Sequence, residues 1–414
     1  MAVTLRSLEV AVPATVLHQD EVREVFSSQP GLSRLASRLV SAAFSTSGIE
    51  RRHTAVAEMS LRHGSDGAEA VFFDPATRQI LNPSTATRND LYVREATELY
   101  TRAAAAALSA CEGVEAADVT HVITVSCTGF FCPGPDYRIV RALGLAPSVQ
   151  RSHLGFMGCY AAFPALRQAT TICRADPDSV VLVVSAELCS LHVRVTDDPD
   201  TILGASLFGD GAAAAVVTGR DLPSPRPVLR LDHFDTVLTP VGEEAMAWNI
   251  GDNGFEMVLG TYVPHIIDEH ITGALEPLLA RDEGVAGRPY DEIEHWAIHP
   301  GGRSIVDKVE ARLGLRPEQV TASRETLRDY GNMSSATVLF VLKHILEQPH
   351  TGGEERICGM AFGPGLTVES ALMTKLGAGT RPGGAGQRDG TRQGDGTRQG
   401  DASPVLDEVA AGVR

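Results

Sequence analysis

Along the chain, short uninterrupted apolar runs alternate with longer stretches in which apolar residues recur every three or four positions. The runs HVITVSC (121–127), SVVLVVSAEL (179–188), GAAAAVV (211–217), HWAI (295–298) and RICGMAFG (356–363) are bounded by Gly, Pro or polar residues. Runs of this length without polar alternation predict buried strands. Between them, NDLYVREATELYTRAAAAALSACEG (89–113) and SSATVLFVLKHILEQ (334–348) carry helical spacing. The opening MAVTLRSLEVAVPATVL is interrupted by Arg6 and Glu9 and reads as a strand, not a signal peptide. Strands alternating with helices predict an α/β architecture.

The pattern repeats. Asp118 opens DVTHVITVSCTG and the segment closes at RALGL (141–145); Asp291 opens DEIEHWAIHPGG and closes at ARLGL (311–315). Each is a strand, a Gly-containing turn and a helix with the same stop, which predicts two similar layered halves, 1–225 and 226–376, with the Pro-rich DLPSPRP (221–227) at their junction. From 377 onward the pattern ends. The sequence turns to Gly, Arg, Gln, Asp and Thr, GTRQGD occurs at 390–395 and again at 396–401, and residues 377–414 are expected to be a disordered tail because they have little to bury.

Charge narrows the function. Over 414 residues, 36 Lys and Arg against 52 Asp and Glu leave a net charge of −16, which speaks against nucleic acid and anionic membranes as partners. An anionic small substrate remains compatible, provided a local basic mouth sits on the acidic body. No apolar run approaches the ~18 residues of a membrane span. Seven cysteines, an odd number scattered through the chain, suit a reducing cytoplasm.

Three segments carry chemistry. In LGFMGCYAAFPALRQA (154–169), Cys159 follows a Gly-containing turn and precedes a helix of small residues, where the helix dipole is expected to lower its pKa. In HWAIHPGG, His299 stands where a strand ends. In YGNMSSATVLF, Asn332 precedes a helix, where a cap or turn is the ordinary use of Asn. Together they offer a nucleophile, an imidazole and a carboxamide able to donate to a developing oxyanion. Cys127 and Cys132 form C-x4-C below His121, but no second pair stands near, so no metal site is expected.

GFMGCYAAFPALR, SCTGFFCPGPDY, LFGDGAAA, IHPGGRSI, YGNMSSATVLFVL and FGPGLTVES together resemble the type III polyketide synthases, the chalcone-synthase-like enzymes, and more their bacterial than their plant members. With SGIERRH (47–53) the resemblance spans roughly 370 residues. It implies a thiolase-like fold of two duplicated halves in five αβαβα layers, usually a homodimer. The resemblance makes Cys159 the nucleophile and His299 and Asn332 its catalytic partners. It places Phe208, Met257, Cys189, His192, Gly254, Ser334, Phe362 and Pro364 around the substrate cavity, and Cys132 on a loop that reaches the neighbouring subunit's site. Met257 stands where plant enzymes usually carry phenylalanine, and Cys189 and His192 where they carry threonines.

The basic residues that hold CoA in plant members do not align cleanly. Arg51 and Arg52, with Gly301, Gly302, Arg303 and Ser304, are the candidates; Arg34, Arg38 and Lys308 lie nearby in sequence. The implied activity is decarboxylative condensation of malonyl-CoA onto an acyl-CoA starter, expected to be aliphatic, with cyclisation to a pyrone, resorcinol or phloroglucinol and no cofactor beyond the CoA thioesters. The rivals are a single-condensation ketoacyl synthase or hydroxymethylglutaryl-CoA synthase on the same fold, and, from other classes, a papain-like protease or a non-catalytic acyl-CoA-binding protein.

Overall fold

The structure is a computed structural model and describes residues 2–60 and 69–380. The expected tail therefore falls almost wholly outside the described residues. Nine strands form the main sheet, numbered here in chain order: β1 (Thr4–Ala11), β2 (His121–Ser126), β3 (Gln150–Gly155), β4 (Val180–Leu188), β5 (Asp210–Thr218), β6 (Val228–Leu238), β7 (His295–Ile298), β8 (Glu355–Gly363) and β9 (Thr367–Leu376). Their spatial order is β7-β8-β9-β6-β1-β5-β4-β2-β3.

This order contains the duplication. From its edge inward the first half runs β3-β2-β4-β5-β1, and the second runs β7-β8-β9-β6. The second half is the first without a counterpart of β3. In both, a parallel pair (β2 with β4, β7 with β8) is followed by antiparallel neighbours. The halves meet through a short antiparallel contact of β1 with β6, Thr4 opposite Arg230 and Leu5 opposite Leu229.

Helices complete five layers. Five are labelled: α1 (Thr85–Ala110), α2 (Ala162–Ala175), α3 (Val263–Leu279), α4 (Arg303–Leu313) and α5 (Thr337–Glu347). On β4, Val180, Leu182 and Val184 face α1, while Val181 and Val183 face a central core shared with α2 and α5. On the other half, Ala297, Ala361 and Ala371 face that same centre, and Trp296, Ile298, Cys358 and Met360 face α3 and α4. Each sheet half is thus covered on both sides, which explains why its strands read as continuous apolar runs. The edge strand β3, QRSHLG, is polar and partly exposed and gave no such signal.

α1 begins at Thr85, where the Ser84 hydroxyl accepts the Thr87 backbone N–H. Among the described residues, no helix is long and apolar enough to cross a membrane.

Candidate active site

The central layer brings the reactive groups together. β3 ends at Gly155, and Cys159 lies in the turn between it and α2. That turn needs glycine at 158: its φ is +93°, and a Cβ there would stand 2.4 Å from Pro364 Cδ. The 362–365 loop is therefore seated against the turn that carries Cys159. The Gly158 N–H donates to Cys127 Sγ at 3.0 Å. His299 follows the last residue of β7, and its backbone N–H continues the ladder to Met360 O at 2.8 Å. Asn332 precedes α5; its backbone N–H donates to Leu207 O and its carbonyl accepts from Gly209 N–H, both at 2.9 Å, which fixes it beside Phe208.

Cys159, His299 and Asn332 line one cavity, together with Cys127, Thr128, Cys189, Phe208, Trp248, Met257, Ser334, Phe362 and Pro364. His299 and Asn332 are each 1% exposed. The Asn332 carboxamide is oriented from both ends. Its Nδ2 donates to Gly301 O at 3.2 Å, and its Oδ1 accepts the Ser334 N–H at 2.8 Å, with Ser334 held at φ +47°. In contrast, neither ring nitrogen of His299 has a protein partner although both are buried. An imidazole in that position has hydrogen-bonding capacity left for a substrate.

Burial sets the protonation states. It lowers the pKa of His299 to about 3, so the ring is neutral. It pushes the Cys159 thiol up to about 11, with Ser334 and Asn332 acting in the opposite direction. This corrects the expectation of a dipole-lowered thiol: α2 starts three residues downstream, at Ala162, and loss of water outweighs the helix terminus. A thiolate here depends on a proton acceptor beside it.

Other expected residues divide. Cys189, Phe208, Met257, Ser334, Phe362 and Pro364 do line the cavity. His192 instead lines a small adjoining cavity that shares Cys189, Phe208, Trp248 and Met257 with the first. Gly254 lines neither, because its Cα faces Arg88 and His192, 3.1 and 3.4 Å from where a Cβ would be. Cys132 is exposed and does not line the cavity of its own chain.

Arg52 is excluded from CoA binding. It is 2% exposed, and its guanidinium donates to Ala205 O at 2.8 Å and Phe208 O at 2.6 Å, so it braces the segment carrying Phe208. Arg51 pairs with Asp329 at 3.5 Å and does not line the cavity mouth. Gly301, Gly302, Arg303 and Ser304 do line a mouth that shares Leu259, Gly301 and Ile305 with the catalytic cavity. The expected basic entrance is not built into these walls: the charged lining residues are Arg303 and Asp307, and they pair with each other at 3.5 Å. Lys308 pairs with Asp268 at 3.6 Å, and Arg34 and Arg38 are exposed on the helix Arg34–Thr46.

Several wall residues escaped the sequence reading. Cys127 and Thr128 leave the end of β2, and the duplication signals them: aligning Asp118 with Asp291 sets Ser126 opposite His299. The buried Glu187 carboxylate ties this loop to the turn Ser334–Ala336 before α5, accepting from Cys127 N–H at 2.9 Å, Thr128 Oγ1 at 2.8 Å and the Ser335 hydroxyl. Trp248 lies on the first strand of the hairpin Met246–Gly251/Gly254–Leu259, and that strand, unlike the second, carried no motif. Among the described residues, no three His, Cys, Asp or Glu side chains group as metal ligands would.

Comparison with known proteins agrees with this geometry. The family description "Chalcone and stilbene synthases, N-terminal domain" matches residues 2–221 and "Chalcone and stilbene synthases, C-terminal domain" matches 232–377. The chain is 37% identical over 302 residues to bisdemethoxycurcumin synthase of Oryza sativa subsp. japonica, covering 70% of this chain and 74% of that one. It is 31% identical to type III polyketide synthase 10 of the same plant, over 91% of this chain and 93% of that one. Among solved structures, PKS-I from the brown alga Ectocarpus siliculosus superposes with a TM-score of 0.82 at 28% identity, covering 91% of this chain and 98% of that one. The chain belongs to the chalcone and stilbene synthase family: it is a type III polyketide synthase, an acyltransferase on the thiolase-like fold.

Proposed function

We propose that Cys159 carries the growing acyl chain and that His299 and Asn332 serve both half-reactions. In loading, the Cys159 thiol gives its proton to His299, the sulfur attacks the starter thioester, and CoA leaves with that proton. In extension, malonyl-CoA places its thioester oxygen toward His299 and Asn332. Loss of CO2 leaves an enolate whose oxygen those donors stabilise. The enolate carbon then attacks the Cys159 thioester, releasing the thiolate and a β-ketoacyl-CoA two carbons longer. The observation that carries this reading is the convergence of these three residues on one apolar cavity, with both His299 nitrogens unpartnered. No metal or other cofactor enters any step.

The starter is an aliphatic acyl-CoA and the product a pyrone, resorcinol or phloroglucinol. Supporting this, Met257 is flexible. Behind it, the adjoining cavity shares Val193, Ala205 and Phe208 with a further space lined by Leu17, Val22, Phe26, Phe73 and Ile80. Gly301, Gly302, Arg303 and Ser304 receive the CoA moiety. The enzyme is a cytoplasmic homodimer of duplicated halves, 1–225 and 226–376, and Cys132 faces the partner's site. The experiment is incubation with malonyl-CoA and a panel of aliphatic and aromatic acyl-CoAs, with product masses read out. Exclusive use of aromatic starters would overturn the aliphatic assignment.

A further inference from the structure

Arg52 does not line the catalytic cavity, yet its contacts converge on two segments that do. It lies on the short strand Arg51–Thr54, which pairs with Thr15–His18. Burial lowers its pKa to about 10, with Asp210 acting in the opposite direction, so the guanidinium is still cationic near neutral pH. One nitrogen, Nη1, donates to both Ala205 O and Phe208 O, whereas the buried Nε has no partner among the described residues. Those carbonyls end the helix Pro199–Leu207, so the charge caps that helix at the negative end of its dipole.

The aliphatic stem of Arg52 is equally constrained. A Cβ on Gly331, where φ is +69°, would stand 2.8 Å from Arg52 Cγ and Cδ, and one on Gly209 would stand 3.3 Å from Arg52 Cβ. The stem therefore lies across two glycines, each next in the chain to a cavity residue: Gly209 follows Phe208, and Gly331 precedes Asn332. The two segments meet in an isolated β-bridge of Phe208 with Asn332, made by Asn332 N–H to Leu207 O and Gly209 N–H to Asn332 O. Two hydrogen bonds outside any sheet hold a register weakly, at about 1 kcal/mol net each. Arg52 touches both sides of this bridge. Its own strand is pinned to the Phe208 side as well, because Asp210 accepts the Ala55 N–H at 2.7 Å.

We propose that Arg52 is a positioning residue for Asn332: by clamping the Phe208–Asn332 bridge, it holds the carboxamide where the enolate forms. This rests on the polyketide synthase reading above. The Arg52 head binds backbone carbonyls behind the cavity, so its influence reaches the reaction through the bridge. His299 follows β7 and has none of these contacts. Loss of Arg52 should therefore weaken the step that needs Asn332 as enolate donor more than the proton transfer of starter loading. A misplacement of about 1 Å can cost about a hundredfold in rate.

The test measures two rates on each protein: malonyl-CoA decarboxylation, and acylation of Cys159 by one acyl-CoA starter, read by mass. Wild type is compared with Arg52→Met, Arg52→Gln, Arg52→Lys and Asn332→Ala, with folding followed by thermal melting. In Arg52→Met and Arg52→Gln the ratio of decarboxylation to acylation should fall by about 10- to 100-fold. Made on top of Asn332→Ala, the same substitutions should lower decarboxylation no further. Arg52→Lys keeps the charge, but its ammonium ends one bond short of Nη1; its ratio should fall by about three- to tenfold. A ratio equal to wild type in any of the Met, Gln and Lys variants that folds would overturn the proposal, as would full additivity with Asn332→Ala. Unchanged decarboxylation in Asn332→Ala itself would instead overturn the functional reading on which the proposal stands.

Discussion

Replacing His299 with Gln removes the proton acceptor proposed for Cys159. Burial raises the Cys159 thiol to about 11, with Glu187 adding to it and Ser334 and Asn332 opposing it, and burial keeps the His299 ring neutral, with its pKa lowered to about 3. Neither group ionises readily by itself. In the proposed loading step the proton passes from sulfur to nitrogen as the sulfur attacks the thioester. Two unit charges about 4 Å apart attract by ~4 kcal/mol at an effective dielectric of about 20. That equals roughly three pKa units, less than the 11 − 3 gap between the two groups, so the resting thiol and imidazole are both neutral and His299 acts during the transfer itself.

His299→Gln retains an amide donor but no proton acceptor. Near neutral pH, transfer of the starter acyl group to Cys159, read on the Cys159 peptide by mass, should slow by about 10²–10⁴-fold in the variant. Alkylation of the same peptide by iodoacetamide, which reads the resting thiolate, should be slow near neutral pH in both proteins and still climb at pH 10, because the thiol stands at about 11. Equal acylation rates for wild type and variant would refute the argument.

Asn332→Ala removes one of the two donors proposed to face the enolate and should lower malonyl-CoA decarboxylation by about 10²–10³-fold while leaving Cys159 acylation measurable. Gly158→Ala puts a Cβ 2.4 Å from Pro364 Cδ at a φ of +93°; it should cost about 1–3 kcal/mol in urea unfolding and slow Cys159 alkylation as the turn shifts. Arg52→Met strands the carbonyls of Ala205 and Phe208 and should destabilise by about 1–3 kcal/mol without a specific rise in KM for CoA esters. Arg303→Ala, at the mouth, should raise that KM and leave the melting temperature nearly unchanged.

What the sequence made legible follows from where the physics is local. Strands covered on both faces, such as Val180–Leu188, declare themselves as apolar runs, and Cys159, His299 and Asn332 sit beside glycines at strand and helix ends. The duplication was readable because both halves repeat one strand-turn-helix unit. Long-range pairing was not readable. Arg52 resembles an exposed phosphate ligand until the fold brings Ala205 O and Phe208 O to it. Trp248 acquires its place only through the register that sets it opposite Met257 and through Cys127 O, 121 positions away in the chain. The raised thiol was missed for the same reason: proximity to a helix start is visible in sequence, whereas loss of water around Cys159 comes from the assembled walls.

The most direct test of the central claim is time-resolved intact mass of the protein with an aliphatic acyl-CoA and then malonyl-CoA. The account predicts that the starter acyl group appears on Cys159 with release of CoA. After malonyl-CoA is added, CO2 should be released and products should appear that carry the starter plus successive C2H2O units, with no carrier protein or metal added. A Cys159→Ala variant that forms the same products would contradict it.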